Sequence, residues 1–550
     1  MTTDPQSPDQ AAVASGRSRL RRWIQGSWFG GILALLYVYN FPYFDAIHSA
    51  NELPRIYLTM AMVDRQAFNI DPEMSRLQPT PDTSTYKGKL YSNKAPGMSF
   101  LTIPVYAAQK AASGGKTPEL RRMFFWFRLF GATVPSLLFL WLLSRFLRDL
   151  VPSLWPRRLV LAAYALGTMA MTYGTLLIAH QLSSLLMATG FVLAFWIGRG
   201  KGRSLTSLWA GLAAGSAVLV DYQTAFLGPP LFLYLLWRAR PRWLREGIGF
   251  ALGAAVPLAG LLLYHWGCFE HPLRTGYHYP TNPVFAEWHS QGFLGLKAFR
   301  LTELVNRYFS ADDGLFYYSP FLLLAFPGLA LMFRRRELRA EAVFCAVAIL
   351  IFVLFISSVM FVSGWDVGPR YITCALPYYL VPVAVVVAAL EGRAWYLRAI
   401  PYGLMALGIA IYVPVSAVFP HFPDNFSNPV FDVAWRFGGA GYWPYSLGWL
   451  LGLEGLGSAI PYLGSAAALV LLLLWRSDPG PRTRRFALTA GALVVAVLVV
   501  GAYWGMLAYR RQPVPERFLG WMEQIYEPRH AGMSLAKITR RIGPGPRSPR

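Results

Sequence analysis

The chain has 550 residues, 55% of them hydrophobic and only 14% charged. A soluble protein of this size carries nearer a quarter charged residues, so the composition excludes an ordinary soluble globule. The net charge of +23 does not signal nucleic acid, because the cations sit in short clusters between apolar runs: Arg17–Arg22, Arg199–Arg203, Arg238–Arg245, Arg334–Arg339 and Arg476–Arg485. That is the positive-inside pattern of a membrane protein.

In chain order, a polar tail over 1–27 leads into a first apolar run near 28–44. The run is too long for a removable signal peptide and lacks a small-residue cleavage site, so it is expected to stay as a signal anchor. Further spans are predicted near 124–144, 158–176, 181–198, 205–220, 224–238, 247–266, 318–333, 340–362, 373–390, 399–418, 458–475 and 487–508, about thirteen in all. Each is long enough to cross or nearly cross a bilayer, and in lipid such runs must be helical. The class is an all-α polytopic membrane protein. Met98–Ala112 is apolar but short. Reading it as a juxtamembrane or re-entrant helix keeps every later basic cluster on the cytoplasmic side. Residues 509–550 form a basic tail.

This frame puts three large non-helical pieces on the outer face: 45–97, 267–317 and 419–448. Ordinary connectors are shorter, so the chemistry is expected there. The organisation is a module over 28–418 carrying outer loops 45–97 and 267–317, then 419–508 with the third loop and the last spans. The outer loops are rich in Tyr, Trp, Phe, Pro and Asn, which suits an interfacial belt and sugar-face stacking alike. Cys268, Cys345 and Cys374 have no metal or redox spacing.

The first loop opens with Asp45, Asn51-Glu52 and Arg55 and closes with Tyr91-Ser92-Asn93-Lys94-Ala95-Pro96-Gly97. Glu52 at headgroup level would have its pKa raised toward the working pH, as a general base needs; the competing role is a helix-start carboxylate. Asp45 is the second carboxylate. Lys94, before a Pro-Gly turn, can meet a phosphate as a point charge or simply snorkel. Arg128 opens its span, and Arg370 ends the turn Trp365-Asp366-Val367-Gly368-Pro369. Cations near membrane depth are functional candidates, although Arg370 can equally pair with Asp366. His180 and Asp221 sit at outer turns, and Asp312-Asp313-Gly314 lies in the second loop. No HExxH, P-loop or GxSxG is present, which argues against zinc proteolysis, ATP hydrolysis and covalent serine chemistry.

In combination these residues resemble the GT-C membrane glycosyltransferases, in the bacterial branch around protein O-mannosyltransferases and the lipid A aminoarabinose transferase. Asn51-Glu52 with Arg55 matches an acidic element after the first span. Lys94–Gly97 with Pro104 matches a second element, and Arg128 the arginine opening the next span. Asp312–Pro320 and Trp365–Arg370 look like segments recurrent in bacterial members. The resemblance implies inverting transfer of a sugar from a polyprenyl-phosphate donor to a lipid, protein or polysaccharide acceptor. It places the protein in the bacterial inner membrane, among membrane lipids, with the site facing the periplasm or exterior and no nucleic-acid partner.

Glu52, with Asp45, would then be catalytic. Arg55, Lys94, Arg128 and Arg370 would bind the donor phosphate, and Tyr91, Asn93, His180, Asp312, Trp365 and Asp366 the substrate. Asn51 replaces the first acidic residue of the usual pair, which puts divalent-metal dependence in doubt; no metal ligand and no cofactor is assigned. The alternative is a transporter or flippase of lipid-linked saccharides. The nearly charge-free spans 340–362 and 487–508 favour chemistry on the outer face over passage.

Overall fold

A computed structural model describes residues 28–40, 49–360, 366–422, 428–478 and 480–506. Asp45 and Trp365 lie outside the described residues. Every one of the expected spans carries a helix. Among the described residues, eight helices are long and apolar enough to cross a membrane unaided: Arg122–Asp149, Ala179–Gly198, Trp243–Phe269, Arg336–Ser358, Arg370–Ala389, Trp395–Val418, Gly455–Ser477 and Arg482–Gly501. Three shorter apolar helices join them, Trp28–Tyr39 (α1), Thr206–Val220 and Pro320–Arg334.

Several expected spans are not single α-helices, and two of them depart most. Over 158–176, the helix Leu154–Leu166 stops at Gly167, and a short helix, Met169–Tyr173, restarts under a cap in which Thr168 Oγ1 accepts from the Ala170 amide at 3.2 Å. The chain then runs without helix to Ile178. This whole stretch is buried among other helices, the one setting in which irregular backbone is tolerated at membrane depth. Over 224–238, a 3₁₀ stretch, Tyr222–Leu227, precedes the α-helix Gly228–Arg238.

The first outer loop is an ordered platform. It holds α2 (Leu53–Arg65), α3 (Asp71–Arg76), strands β1 (Thr83–Tyr86) and β2 (Lys89–Ser92), and α4 (Gly97–Ala112). The strands form an antiparallel hairpin with Thr83 opposite Ser92 and Tyr86 opposite Lys89. Its two-residue turn, Lys87-Gly88, has positive φ at both positions (49° and 76°), the geometry whose twist matches that of paired strands. The helix α4 is the short apolar segment of the sequence. It lies beside α2 in the same direction: Thr59 Oγ1 donates to Ser99 O at 3.1 Å and meets Thr102 Oγ1 at 2.8 Å. Farther along, Asp64 accepts from Tyr106 at 2.9 Å and from Lys110 at 2.7 Å. These polar rungs give the pair a fixed register, as hydroxyls do between membrane helices.

The second loop docks on the hairpin. Thr85 N donates to Tyr279 O and Thr281 N to Thr83 O, both at 2.9 Å, so the segment around Pro280 pairs with β1 as a partial third strand. Gly276 makes this approach possible, because a Cβ there would stand 2.6 Å from Asn93 Cα and 2.7 Å from Ser84 Oγ. Gly276→Ala is expected to push the two loops apart at a cost of about 1–3 kcal/mol, the range for overpacked sites. The check is faster proteolytic cleavage within 267–317; an unchanged cleavage rate would contradict the docking.

Candidate functional site

Glu52 stands at the start of α2, where the sequence places it, but it is fully buried. Arg128 grips it side-on, Nε donating to Oε1 at 2.9 Å and Nη2 to Oε2 at 2.8 Å. Oε1 also accepts from the Leu177 amide at 2.7 Å. Three features of the chain bring these partners together. A π-helical turn, Leu129–Thr133, follows Arg128 directly. Gly131 lets the next segment in, since a Cβ there would lie 2.8 Å from Leu177 Cδ1. Thr133 Oγ1 then donates to Gly174 O at 3.0 Å. Burial pushes the Glu52 carboxyl up, but the Arg128 guanidinium, with His421 and the Leu177 amide, outweighs it and holds the pKa below the ordinary value. The structure therefore gives Glu52 the opposite of the raised pKa expected of a base. Arg128, likewise buried and lying 3.7 Å from the Phe124 ring, is engaged by Glu52.

A second cluster gathers around Arg55 and the end of the hairpin. The hairpin register that sets Thr83 opposite Ser92 places Asp82 across from Asn93, with Lys94 next in line. Lys94 Nζ meets Asp82 Oδ2 at 3.0 Å, and Asn93 Nδ2 donates to Asp82 Oδ1 at 3.5 Å. Arg55, one helical turn beyond Asn51, donates through Nη1 to the Asn51 backbone and side-chain oxygens. Its Nε is buried with no hydrogen-bond partner among the described residues, as is Asn93 Oδ1. Orphaned buried donors are rare and mark an absent partner or ion.

The electrostatics tie these groups together. Burial lowers the Lys94 ammonium, and Arg55 and Arg370 lower it further against the pull of Asp82. Burial also lowers Arg55, against Tyr277, Asp221, Asp82 and Glu52. Burial would raise Asp82, but Lys94 and Arg370 leave it below its usual value. Arg55, Lys94 and Arg370 thus share one desolvated neighbourhood with the carboxylates of Asp82, Asp221 and Asp366. Arg370 leans toward Asp366, Nε to Oδ2 at 3.8 Å, and lies 5.3 Å from the Tyr371 ring, so the turn pairing weighed from the sequence is present.

The other expected residues divide. His180 joins the cluster, its Nδ1 2.6 Å from Asp221 Oδ2 and its ring 5.0 Å from that of Tyr371. Tyr91 faces away, packed on Phe269 at 5.6 Å, because alternation along β2 turns it into the platform's core. Asp312 is exposed; its neighbour Asp313 is the buried member and pairs with Arg307. Asp366 N donates to Phe422 O at 3.1 Å, fastening the turn to the third loop. The sequence did not single out Asp82, Asp221, Tyr277 or Tyr371 as site residues. Asp82 was recoverable from the hairpin signal, two short strands flanking Lys87-Gly88. Among the described residues, no group of three or more His, Cys, Asp or Glu gathers as a metal ion would require.

No family model and no curated protein matches the sequence. Among solved structures, ArnT from Cupriavidus metallidurans bound to undecaprenyl phosphate is similar to this chain at a TM-score of 0.44 and 17% identity, over 89% of this chain and 76% of that one. The same protein in the apo state gives 0.44 and 16%, over 88% and 77%.

Proposed function

We propose that this protein is a GT-C-type membrane glycosyltransferase that moves a sugar from a polyprenyl-phosphate donor to an acceptor at its outer face. The observation that carries this reading is the desolvated cation set of Arg55, Lys94 and Arg370, with the buried Arg55 Nε lacking a hydrogen-bond partner among the described residues. An unpartnered guanidinium donor among these cations can take up an anion, and its place near the start of the apolar helix Arg370–Ala389 suits an anion carried on a lipid. Preorganised cations are the largest help available when charge develops on a departing phosphate. Tyr277, stacked on His289 at 4.6 Å, and Tyr371 supply ring faces suited to a sugar.

In the reaction the acceptor hydroxyl attacks the anomeric carbon as the bond to the lipid phosphate breaks. Arg55, Lys94 and Arg370 take up the charge left on that phosphate. Asp82 positions Lys94 and keeps it charged. Glu52 and Arg128 act one layer behind, fixing the start of α2 and hence Arg55. The test is to incubate purified protein with a panel of polyprenyl-phosphate sugars and score free lipid phosphate. Release from one donor that depends on acceptor is expected. Movement of intact donor across a bilayer, without cleavage, would replace this reading with that of a flippase.

A further inference from the structure

Transfer to a hydroxyl needs a group that accepts its proton, and among the described residues the two first-loop carboxylates near the cations, Glu52 and Asp82, are poorly placed for that. Glu52 is sealed by Arg128 and the Leu177 amide. Asp82 is committed to Lys94 and Asn93. A third arrangement in the same neighbourhood is better suited.

His180 opens the helix Ala179–Gly198, and Asp221 ends the helix Thr206–Val220. Their side chains meet at 2.6 Å through Nδ1 and Oδ2. Asp221 Oδ2 also accepts from Gln223 Nε2 at 2.9 Å and from Ser183 Oγ at 3.4 Å. A carboxylate can only accept at neutral pH, so Nδ1 carries the proton and Nε2 keeps its lone pair. No hydrogen bond from a described residue occupies Nε2. The ring lies against Tyr371, the residue next to Arg370. The charged groups that face it are Asp221, Arg370 and Arg55, with Gln223, Ser183 and Tyr371 as its polar neighbours.

We propose that His180, oriented by Asp221, is the general base that takes the acceptor's proton. This rests on the transferase reading. As the acceptor oxygen bonds to the anomeric carbon, its proton passes to His180 Nε2, and the electrons of the broken carbon–oxygen bond stay on the lipid phosphate. Asp221 offsets the imidazolium charge, and the proton later leaves to solvent or to the released phosphate. The same logic of base and orienting carboxylate serves other hydroxyl activations.

His180→Gln is expected to lower acceptor-dependent turnover by about 10²- to 10⁴-fold, with polyprenyl-phosphate affinity and thermal unfolding unchanged. Asp221→Asn should lower kcat while leaving donor KM in place. Wild-type kcat/KM should fall on the acid side with a single proton, because an imidazolium cannot accept another. That limb should vanish in His180→Gln. Turnover retained by His180→Gln, or donor affinity lost in step with turnover, would overturn the assignment. So would a wild-type profile with no acid limb, however the variants fold. Failure of the transferase reading itself looks different: the wild type would release no lipid phosphate from any donor.

Discussion

Glu52→Gln is expected to destabilise the protein by about 3–5 kcal/mol, the range for breaking a buried ion pair by removing one partner. The amide would leave the Arg128 guanidinium buried beside Phe124 with no countercharge from Glu52. It would also put donor against donor at Arg128 in either amide orientation, and at the Leu177 amide as well in one of them. Thermal unfolding in detergent would read the loss. Adding Arg128→Met should recover part of it, because replacing both members removes the buried guanidinium together with its carboxylate. A base at this position predicts another pattern: stability and expression unchanged, and turnover alone reduced by about 10²- to 10⁴-fold. The two outcomes separate a positioning pair from a reacting carboxylate.

Lys94→Ala is expected to weaken donor binding by about 10- to 100-fold, since a hydrogen bond to a charged group contributes about 1.5–3 kcal/mol. Titration with a polyprenyl monophosphate reads this directly, and an unchanged Kd would remove Lys94 from the role. A pH signature accompanies it. Burial, with Arg55 and Arg370, holds the free Lys94 below its ordinary pKa. A bound phosphate favours the ammonium and raises that pKa again, so binding takes up a proton. Affinity in the wild type should therefore fall as pH rises through the depressed Lys94 pKa, before the ordinary lysine range near 10.4 is reached. Lys94→Arg should abolish this alkaline loss, because a guanidinium does not titrate there.

The helices within the expected spans were legible because length and apolarity decide membrane helices almost alone; which loops face outward was read from where the basic clusters lie. The break at Gly167–Thr168 was not legible. An apolar run reads the same whether it crosses as one helix or stops and restarts inside a bundle, and only burial by neighbours permits the second. In the site, the sequence brought forward Arg55, Lys94, Arg370 and His180, which the structure gathers into one neighbourhood. It also brought forward Glu52 and Arg128 singly, without their pairing. That pairing spans 76 residues, and the Leu177 amide lies 125 residues from Glu52; no local spacing encodes contacts of that range. His180 and Asp221 could each be placed at an outer turn. Their meeting across 41 residues depends on how the two helices pack. The pairing of Asp82 with Lys94 was within reach, because a two-residue turn fixes strand register.

The central claim is that Arg55, Lys94 and Arg370 form one pocket for a lipid-borne phosphate. An experimental structure with a polyprenyl monophosphate bound tests it most directly. The phosphate oxygens are expected within about 3 Å of Lys94 Nζ and Arg55 Nε, with Arg370 turned toward them and the lipid tail leaving between spans. A phosphate seated elsewhere, with Lys94 still bound to Asp82 and Arg55 Nε still unpartnered, would contradict the account.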